Sequence, residues 1–346
     1  MADSKPSRPQ PLWLTEQDVG ASVDLNEAIA ALDQGLRLEA EGKAANVDKA
    51  LATWTPASSM HALGSIMPER GFAGFKTWAN TPGGAAATFS LFDAHDGRLL
   101  ALIEAGLLGA LRTSGISGLA TRTLADPTAD ELALVGTGRQ AMMQVAAIAA
   151  TRPLRRLRVW SRTPENRGAF VAQARALFPF AVEEAASVEE ALADMPIVTL
   201  ITRATEPFVE AGMIARGAHV NAAGAILPAN AEVMPDVFAR ADLVVVDSLG
   251  NARKASREMR GSYGDDADGW NGVQTLGAVI AGGGGRPAGA DLTLFKPMGM
   301  GLSDLSVAIA VYQRSLDAGR GLSLPAAHMP APRWTLAEAR ELQPAI

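Results

Sequence analysis

Cysteine is absent from this 346-residue sequence, aromatic residues are few, and no hydrophobic segment is long. Without cysteine the chain has no disulfide bond, no thiolate metal ligand and no cysteine nucleophile. The apolar run over 99–111 contains Glu104 and is followed by Arg112, and like the other runs it is too short to span a bilayer. The N-terminus is polar and lacks the apolar core of a signal peptide. We therefore expect a cytoplasmic protein without a membrane partner.

Positive charge is also scarce. The 31 lysine and arginine residues are outnumbered by 37 acidic residues, and the net charge of −6 predicts no nucleic-acid partner. The 48% hydrophobic and 20% charged residues are typical of a globular protein, and the length allows two domains. The four histidines form no pair with the spacing of metal ligands, so no metal site is predicted.

The sequence does contain a buried strand that runs into a glycine turn. Residues 132–135 are apolar up to Gly136, as expected of a parallel strand that is covered on both faces. Gly136 permits a tight turn, Gly138 lets the backbone approach a diphosphate, and Ala141 is small where helix meets strand. A helix that opens at Arg139 would turn free N–H groups and its positive dipole end toward phosphates. The pattern predicts a dinucleotide site formed by Gly136, Thr137, Gly138, Arg139 and Gln140.

Strands and helices alternate beyond this turn, which indicates βαβ units on a parallel sheet. Strands are predicted over Leu157–Trp160, Pro196–Ile201, Ala218–Ala222 and Leu243–Asp247, and helices over Pro164–Leu177 and Val188–Ala193. Thr202 and Ala223, which directly follow two of these strands, are also assigned to the cofactor site. The glycine-rich run over 281–287 is predicted to be a flexible loop.

The first third of the chain has a different pattern. Residues 1–12 are expected to form a loose arm, after which Thr15 begins the fold as a helix cap. Short segments with partial alternation predict an antiparallel or mixed sheet over Ala50–Trp54, Met60–Ile66, Gly74–Trp78 and Ala86–Phe92. Helical spacing is present over Leu25–Glu41, Ala101–Ala125 and Leu305–Leu316.

These patterns predict an α/β protein of two domains. A Rossmann-type, doubly wound parallel sheet over 121–295 would bind NAD(P). It would be inserted into an α+β substrate-binding domain that is built from both chain ends, 1–120 and 296–346.

The residues after the second strand of this domain indicate which cofactor is bound. An acidic residue there binds the free 2′-hydroxyl of the adenosine ribose, whereas basic and hydroxyl groups accept a 2′-phosphate. This chain has Ser161, Arg162 and Thr163, with no carboxylate before Glu165. We therefore predict NADP(H) in preference to NAD(H), with the charged, forked guanidinium of Arg162 bound to the 2′-phosphate. The alternative is a solvated arginine at a strand end, with Thr163 as a helix cap.

The motifs together resemble the ornithine cyclodeaminase/mu-crystallin family over nearly the whole chain. The matching segments are Met67-Pro68, Gly74-Phe75-Lys76, Asp96-Gly97, Leu111-Arg112-Thr113, 136–141, 219–225 and 299–305. The resemblance implies a two-domain subunit that forms a homodimer through its non-nucleotide domain. The family includes cyclodeaminases, alanine dehydrogenases, ketimine and pyrroline-carboxylate reductases, opine-type dehydrogenases and crystallins, so the resemblance leaves the reaction open.

Departures from the family pattern favour its ketimine-reductase branch. Cyclodeaminases carry an Asp in the segment that here reads Gly-Ala-Ile-Leu-Pro over 224–228, and an acidic residue near the position of Ser65. They also hold NAD with an acidic residue where this chain has Arg162. A substrate-binding arginine expected upstream of Met67 is not evident, and Lys49 is the nearest basic candidate.

The resemblance assigns the chemistry to Lys76, Arg112 and Asp304. By pattern alone Lys76 would be a surface lysine, but the family lysine faces substrate, where it can pair with a carboxylate and deliver a proton. Arg112 is either a snorkelling arginine or a bidentate clamp on a substrate carboxylate. Asp304 is either an ordinary carboxylate of a first helical turn or the group that orients Lys76 or relays a proton. Thr113 would cap a helix or touch the cofactor diphosphate.

We therefore predict NADPH-dependent reduction of a small carboxylate-bearing imine, such as a pyrroline-2-carboxylate, to the amino acid. Arg112 and Lys76 would hold the carboxylate, and Lys76 or a water linked to Asp304 would supply the proton. The alternatives are an ornithine cyclodeaminase, an alanine-dehydrogenase-type enzyme and a non-enzymatic crystallin-like protein that binds NADPH and a small ligand.

Overall fold

The computed structural model describes residues 10–325, which form two β-sheets packed against helices. The strands are β1 (Leu12–Leu14), β2 (Ala45–Thr55), β3 (Ser58–Met67), β4 (Phe72–Thr81), β5 (Gly84–Asp93), β6 (Leu99–Glu104), β7 (Glu131–Val135), β8 (Arg156–Trp160), β9 (Ala181–Glu184), β10 (Ile197–Leu200), β11 (Ala218–Ala222), β12 (Leu243–Val246), β13 (Val273–Thr275), β14 (Leu292–Lys296) and β15 (Leu322–Ser323). The α-helices are α1 (Glu16–Ser22), α2 (Leu25–Ala40), α3 (Gly106–Leu124), α4 (Ala141–Ala149), α5 (Pro164–Leu177), α6 (Val188–Leu192), α7 (Pro235–Arg240), α8 (Leu249–Ala255), α9 (Arg257–Tyr263), α10 (Leu276–Ala281) and α11 (Gly301–Asp317).

The larger sheet is the parallel sheet predicted from the alternation of strands and helices. Its order is β13-β12-β14-β11-β10-β7-β8-β9, and its neighbouring strands pair in parallel. Every residue of β7 is buried, as in a strand covered on both faces. The strand order reverses between β7 and β10, so the turn after β7 lies at the switch point where such sheets bind nucleotides. The predicted doubly wound α/β class is confirmed.

The smaller sheet has the order β15-β1-β6-β5-β4-β3-β2. Strands β2 to β6 pair antiparallel and β1 pairs in parallel with β6, so the predicted antiparallel or mixed sheet is confirmed. Its inner face packs against α3 and α11. Because α11 and β15 follow the larger sheet in the chain, both ends of the described chain build this unit.

Two predictions in the first third of the chain are corrected. Ala101–Glu104 is not the start of the predicted helix 101–125 but part of β6, because it pairs with β1 on one side and β5 on the other. Leu12, assigned to a loose arm, begins β1 and pairs with Ala101. The rest of that predicted arm, residues 1–9, lies outside the described residues. The predicted cap is present, since Thr15 and Asp18 form a capping box on α1.

The segment around β14 also differs from the prediction. This strand was missed, yet it lies inside the larger sheet between β11 and β12. Phe295 and Lys296 therefore end a buried strand, and α11 begins at Gly301, four residues before the predicted start.

Within 10–325, none of the helices combines the length and apolar character needed to cross a bilayer. The division of the chain into 121–295 and a second part made of 1–120 and 296–346 stays a prediction. Residues 326–346 of that second part lie beyond the described residues.

Candidate active site

Lys76, Arg112 and Asp304 meet where the inner face of the smaller sheet contacts two helices. Lys76 lies on β4, opposite Leu63 of β3 and Phe89 of β5. Its Nζ lies 2.6 Å from Oδ1 of Asp304, and Nε of Arg112 lies 3.2 Å from the same oxygen. Lys76 and Asp304 are buried, and the Arg112 side chain is only 16% exposed. The structure therefore brings together the three residues predicted to be catalytic.

Two cations contact this carboxylate, and Lys49 adds a third positive charge near Lys76 and Arg112. Burial, followed by the charge of Arg112, lowers the pKa of Lys76 to about 8, although Asp304 opposes the shift. The pKa of the half-buried Lys49 is likewise lowered by burial and then by Arg112. Oδ2 of Asp304 is buried and has no hydrogen-bond partner among residues 10–325. The cluster has an excess of positive charge and is suited to an anionic ligand.

Aromatic rings lie beside the two lysines. Trp78 follows Lys76 by two residues on the same face of β4 and stacks on His61, with ring centroids 4.5 Å apart. Nζ of Lys76 lies 5.1 Å from the centroid of the Trp78 ring, and Nζ of Lys49 lies 5.9 Å from it. Both are cation–π contacts. Trp78 and His61 were not predicted as site residues, although the two-residue spacing of Trp78 from Lys76 places both on one face of the strand.

The segment before α11 is fixed behind Arg112 by a buried carboxylate at the end of β12. The two oxygens of Asp247 accept hydrogen bonds from the N–H groups of Met298 (2.8 Å) and Gly299 (2.7 Å). Burial raises the pKa of Asp247. Gly299 has a φ of +82°, and a Cβ there would lie 3.1 Å from Nη1 of Arg112. Asp247 therefore holds backbone directly against the guanidinium, a role that its place at the end of a predicted strand did not reveal.

The first turn of α11, which carries Asp304, is anchored by the smaller sheet. Oδ1 of Asn46 on β2 accepts a hydrogen bond from the N–H of Leu302 (2.8 Å), and its Nδ2 donates to Oε1 of Glu39 (2.6 Å). Burial raises the pKa of Glu39 to about 7. The Asn46 side chain, on β2, therefore caps the start of α11 in the way that a local N-cap residue would.

The glycine turn after β7 has one position that only glycine fits and another that is open to a ligand. Gly136 has a φ of +108°, and a Cβ there would lie 2.7 Å from the carbonyl oxygen of Ile201, so glycine is needed. A Cβ on Gly138 would meet nothing within 4 Å, which leaves the backbone open to a ligand. The helix begins at Ala141 and not at Arg139, because the N–H of Ala141 first closes a turn on the carbonyl of Gly138 (2.9 Å). Between β7 and α4 lie Gly136, Thr137, Gly138, Arg139 and Gln140.

The residues predicted to choose the cofactor lie beside this turn. Oγ1 of Thr137 donates a hydrogen bond to Oγ of Ser161 (3.0 Å), which joins the turn to the end of β8. Arg162 and Thr163 are exposed there. Thr163 precedes α5, but its side chain makes no capping hydrogen bond. Binding of a 2′-phosphate by these residues stays a prediction.

The other predicted cofactor residues lie near the same edge of the sheet. Thr113 contacts α4, where its carbonyl accepts a hydrogen bond from Nε2 of Gln144 (3.3 Å), while its hydroxyl bonds within α3. Thr202 follows β10 and donates from its N–H (2.7 Å) and its hydroxyl (2.8 Å) to Oε1 of Glu232. Ala223 follows β11 directly. The buried Glu232 was not predicted as a site residue.

Comparison with known proteins identifies the family. The sequence model of the ornithine cyclodeaminase/mu-crystallin family matches residues 10–319. The chain belongs to this family. It is 32% identical over 233 residues to a Delta(1)-pyrroline-2-carboxylate reductase of Bacillus cereus, covering 67% of this chain and 71% of that protein. It is 33% identical over 227 residues to the ketimine reductase mu-crystallin of Mus musculus, covering 65% and 68%.

A solved structure agrees with this assignment. An archaeal alanine dehydrogenase dimer with bound NAD has a TM-score of 0.84 and 26% identity, and the match covers 92% of this chain and 100% of that one. The predicted family and the predicted two-domain fold are confirmed. The predicted enzyme class, an oxidoreductase, is confirmed as well.

Proposed function

We propose that this protein reduces a small carboxylate-bearing imine to the amino acid with NADPH, as a ketimine or pyrroline-2-carboxylate reductase. The observation that carries the proposal is the buried cluster in which Lys76 and Arg112 share Oδ1 of Asp304 at 2.6 and 3.2 Å. Two cations and one titratable proton that lie this close together support the binding and protonation of a substrate with a carboxylate. Relatives that are 32% and 33% identical are named for this type of reaction, which supports the proposal.

Arg112 and Lys76 hold the substrate carboxylate in this proposal. A guanidinium binds a carboxylate through two parallel hydrogen bonds, and the neighbouring charge of Lys49 adds attraction. Fixing the carboxylate also fixes the direction of the C=N bond. Orientation of two bound reactants contributes about 7–11 kcal/mol to lowering the barrier in the best cases.

Lys76 then gives a proton from Nζ to the imine nitrogen, because a protonated C=N bond accepts hydride at carbon more readily. A pKa of about 8 leaves Lys76 mostly protonated at neutral pH and makes it a stronger acid than an exposed lysine. Asp304 orients the ammonium group through the 2.6 Å contact and stabilises it between turnovers.

The glycine turn and α4 fit a dinucleotide, since Gly136 excludes a side chain and Gly138 faces open space. Residues 136–140 would hold the diphosphate with backbone N–H groups. The bound nicotinamide supplies the hydride.

A substrate screen tests the proposal. NADPH oxidation is followed with Δ1-pyrroline-2-carboxylate, with pyruvate plus ammonia, and with no substrate, and ornithine is tested for ammonia release. We expect the cyclic imine to be reduced with the highest kcat/KM. Turnover of pyruvate and ammonia alone would favour an alanine dehydrogenase, and ammonia release from ornithine a cyclodeaminase. Tight NADPH binding without any turnover would favour a crystallin-like binding protein.

The preference for NADPH is proposed to depend on Arg162, which is exposed at the end of β8. Arg162→Ala is expected to lower kcat/KM for NADPH by about tenfold or more, because a charge-assisted contact to the 2′-phosphate is lost, while the value for NADH changes little. Arg216→Ala is the control, since this arginine is 87% exposed and precedes β11 at the opposite edge of the sheet. A wild-type preference for NADH would contradict the assignment.

A homodimer is proposed to form through the outer face of the smaller sheet. The pairing of β3 with β4 places Met60, Ile66 and Phe75 on the face away from Lys76, and these side chains are 55%, 43% and 39% exposed. Exposed apolar side chains that share one face of a sheet are typical of interfaces between proteins.

Phe75→Lys is expected to convert this dimer into a 36.0-kDa monomer, because the change buries a charge in an apolar interface. The mass in solution is measured by light scattering or ultracentrifugation. Leu177→Lys is the control, since Leu177 is 58% exposed but ends α5 on the larger sheet. Equal dissociation by both variants, or by neither, would place the interface elsewhere.

A further inference from the structure

Three buried charged side chains, those of Lys296, Glu258 and Glu232, follow one another at the carboxyl ends of three neighbouring strands of the larger sheet. Lys296 ends β14, and its Nζ lies 2.6 Å from Oε2 of Glu258. Oε1 of Glu258 accepts hydrogen bonds from the N–H groups of Glu232 and Val233, the latter at 2.9 Å. The side chains of Lys296 and Glu258 are 0% and 1% exposed. None of these residues belongs to the cluster around Lys76.

Glu232 is the last of these three charged residues, and its carboxylate binds the backbone of two loops. Its Oε1 accepts the N–H and the hydroxyl of Thr202, after β10. Its Oε2 accepts the N–H groups of Gly224 (2.9 Å) and Ala225 (3.1 Å), after β11. A Cβ on Gly224 would lie 2.3 Å from the N and O atoms of Thr202, so the two loops touch. One buried carboxylate thus accepts four hydrogen bonds and fixes both loops.

The position of these loops relates them to one half of the dinucleotide. In a doubly wound sheet the two ends of the cofactor lie on opposite sides of the switch point, and the adenosine end lies over the strand that follows the glycine turn. Here that strand is β8, on the far side of β7 from β10 and β11. The loops held by Glu232 therefore lie on the nicotinamide side.

We infer that Lys296, Glu258 and Glu232 are positioning residues for the nicotinamide end of the cofactor. The inference rests on the proposed function only in requiring a nicotinamide dinucleotide. Lys296 compensates the charge of Glu258, Glu258 fixes the main chain of Glu232, and Glu232 fixes the loops that carry Thr202 and Ala223. The three residues act through backbone and touch no reacting atom.

A purely structural role is the alternative, and a second buried charge cluster provides the control. Glu131 begins β7 at the opposite, amino edge of the sheet, where it is 4% exposed and pairs with Arg155 and Arg156. Glu131→Gln therefore removes a buried carboxylate charge from the same sheet without touching the loops on the nicotinamide side.

The test compares binding of a whole dinucleotide with binding of its adenosine half. NADPH and 2′,5′-ADP are titrated into the wild-type protein and into Glu232→Gln, Lys296→Met and Glu131→Gln. Glu232→Gln and Lys296→Met are expected to weaken NADPH binding about tenfold or more. Glu232→Gln replaces one accepting oxygen by an NH2 group, and Lys296→Met removes the ion pair that compensates the charge of Glu258. Binding of 2′,5′-ADP is expected to stay within about twofold for every variant.

The outcomes separate the inference from its alternative. Parallel weakening of both ligands in Glu232→Gln and Lys296→Met, or no change in either ligand, would overturn it. If an unpaired buried charge prevents folding, the double change Lys296→Met with Glu258→Gln removes both charges of the pair and gives the same comparison.

Failure of the proposed function is a different result. If no imine is reduced, the binding comparison is unaffected. If NADH is the preferred cofactor, NADH and ADP replace the two ligands and the expectation is unchanged.

Discussion

Lys76→Met is expected to lower kcat/KM for imine reduction by about a thousandfold, within the range contributed by a positioned acid. The methionine keeps the length of the buried side chain but offers neither a proton nor a charge for the substrate carboxylate. Asp304 keeps its contact with Arg112 at 3.2 Å, so the cluster is not left with an unpaired buried carboxylate. Binding of NADPH, at the other sheet, is expected to be unchanged and shows that the variant is folded.

The pH dependence separates the two roles of Lys76. Its pKa is about 8, so in the wild type kcat/KM is expected to fall above that pH as the ammonium loses its proton. Lys76→Arg keeps a positive charge that does not titrate in this range. We expect a low kcat, a KM within a few-fold of wild type and no decline near pH 8.

Lys254→Met is the control, since this lysine is exposed on α8. A Lys76→Met enzyme with more than about a tenth of wild-type activity would show that the proton comes from another group. Persistence of the decline near pH 8 in Lys76→Arg would assign that titration to a residue other than Lys76.

The cofactor turn could be predicted because its determinants are contiguous. β7, Gly136, Gly138 and the start of α4 lie within a few residues, and each carries its own signal of burial, turn or helix. The position of the helix start was wrong by two residues because the turn hydrogen bond to Gly138 leaves no trace in composition. Lys76, Arg112 and Asp304 were found only through the family resemblance, since each alone is typical of a surface charge.

The strand over Ala101–Glu104 was predicted as helix for a related reason. The apolar residues there are compatible with the period of a helix and with that of a strand. Only the pairing with β1 and β5 decides between the two structures. Strand β14 was missed because ten residues of turn and loop, 282–291, separate it from α10. Its neighbours β11 and β12 are far from it in sequence and are determined by the sheet as a whole.

The burial of the charged residues of the larger sheet could not be predicted from sequence patterns. Glu232, Glu258 and Lys296 each look like solvated residues in sequence, because polar residues are exposed by default. Only the tertiary structure places Nζ of Lys296 within 2.6 Å of Oε2 of Glu258 and brings the carboxylate of Glu232 to the ends of two strands. Asp247 is a similar case, since its partners are the N–H groups of Met298 and Gly299.

Gly138→Val is expected to weaken NADPH binding by about a hundredfold or more, which corresponds to the loss of two hydrogen bonds from backbone to a charged phosphate. A Cβ on Gly138 would meet nothing within 4 Å, so the chain itself accommodates the new side chain. The methyl groups instead occupy the space through which the backbone approaches the diphosphate. Thermal stability without cofactor is therefore expected to change little, while stabilisation by added NADPH is lost.

Gly136, the other glycine of this turn, is expected to respond to substitution in a different way from Gly138. Gly136 has a φ of +108° and faces the carbonyl oxygen of Ile201, so Gly136→Ala is expected to lower the melting temperature even without cofactor. Gly212→Val is the control, since its Cβ also meets nothing within 4 Å. Gly212 lies in a 3₁₀ turn, 211–213, that precedes β11 at the edge of the sheet away from the cofactor turn. Unchanged NADPH affinity in Gly138→Val would remove the diphosphate from this turn. Loss of stability in Gly138→Val but not in Gly212→Val would show that Gly138 serves the fold rather than the ligand.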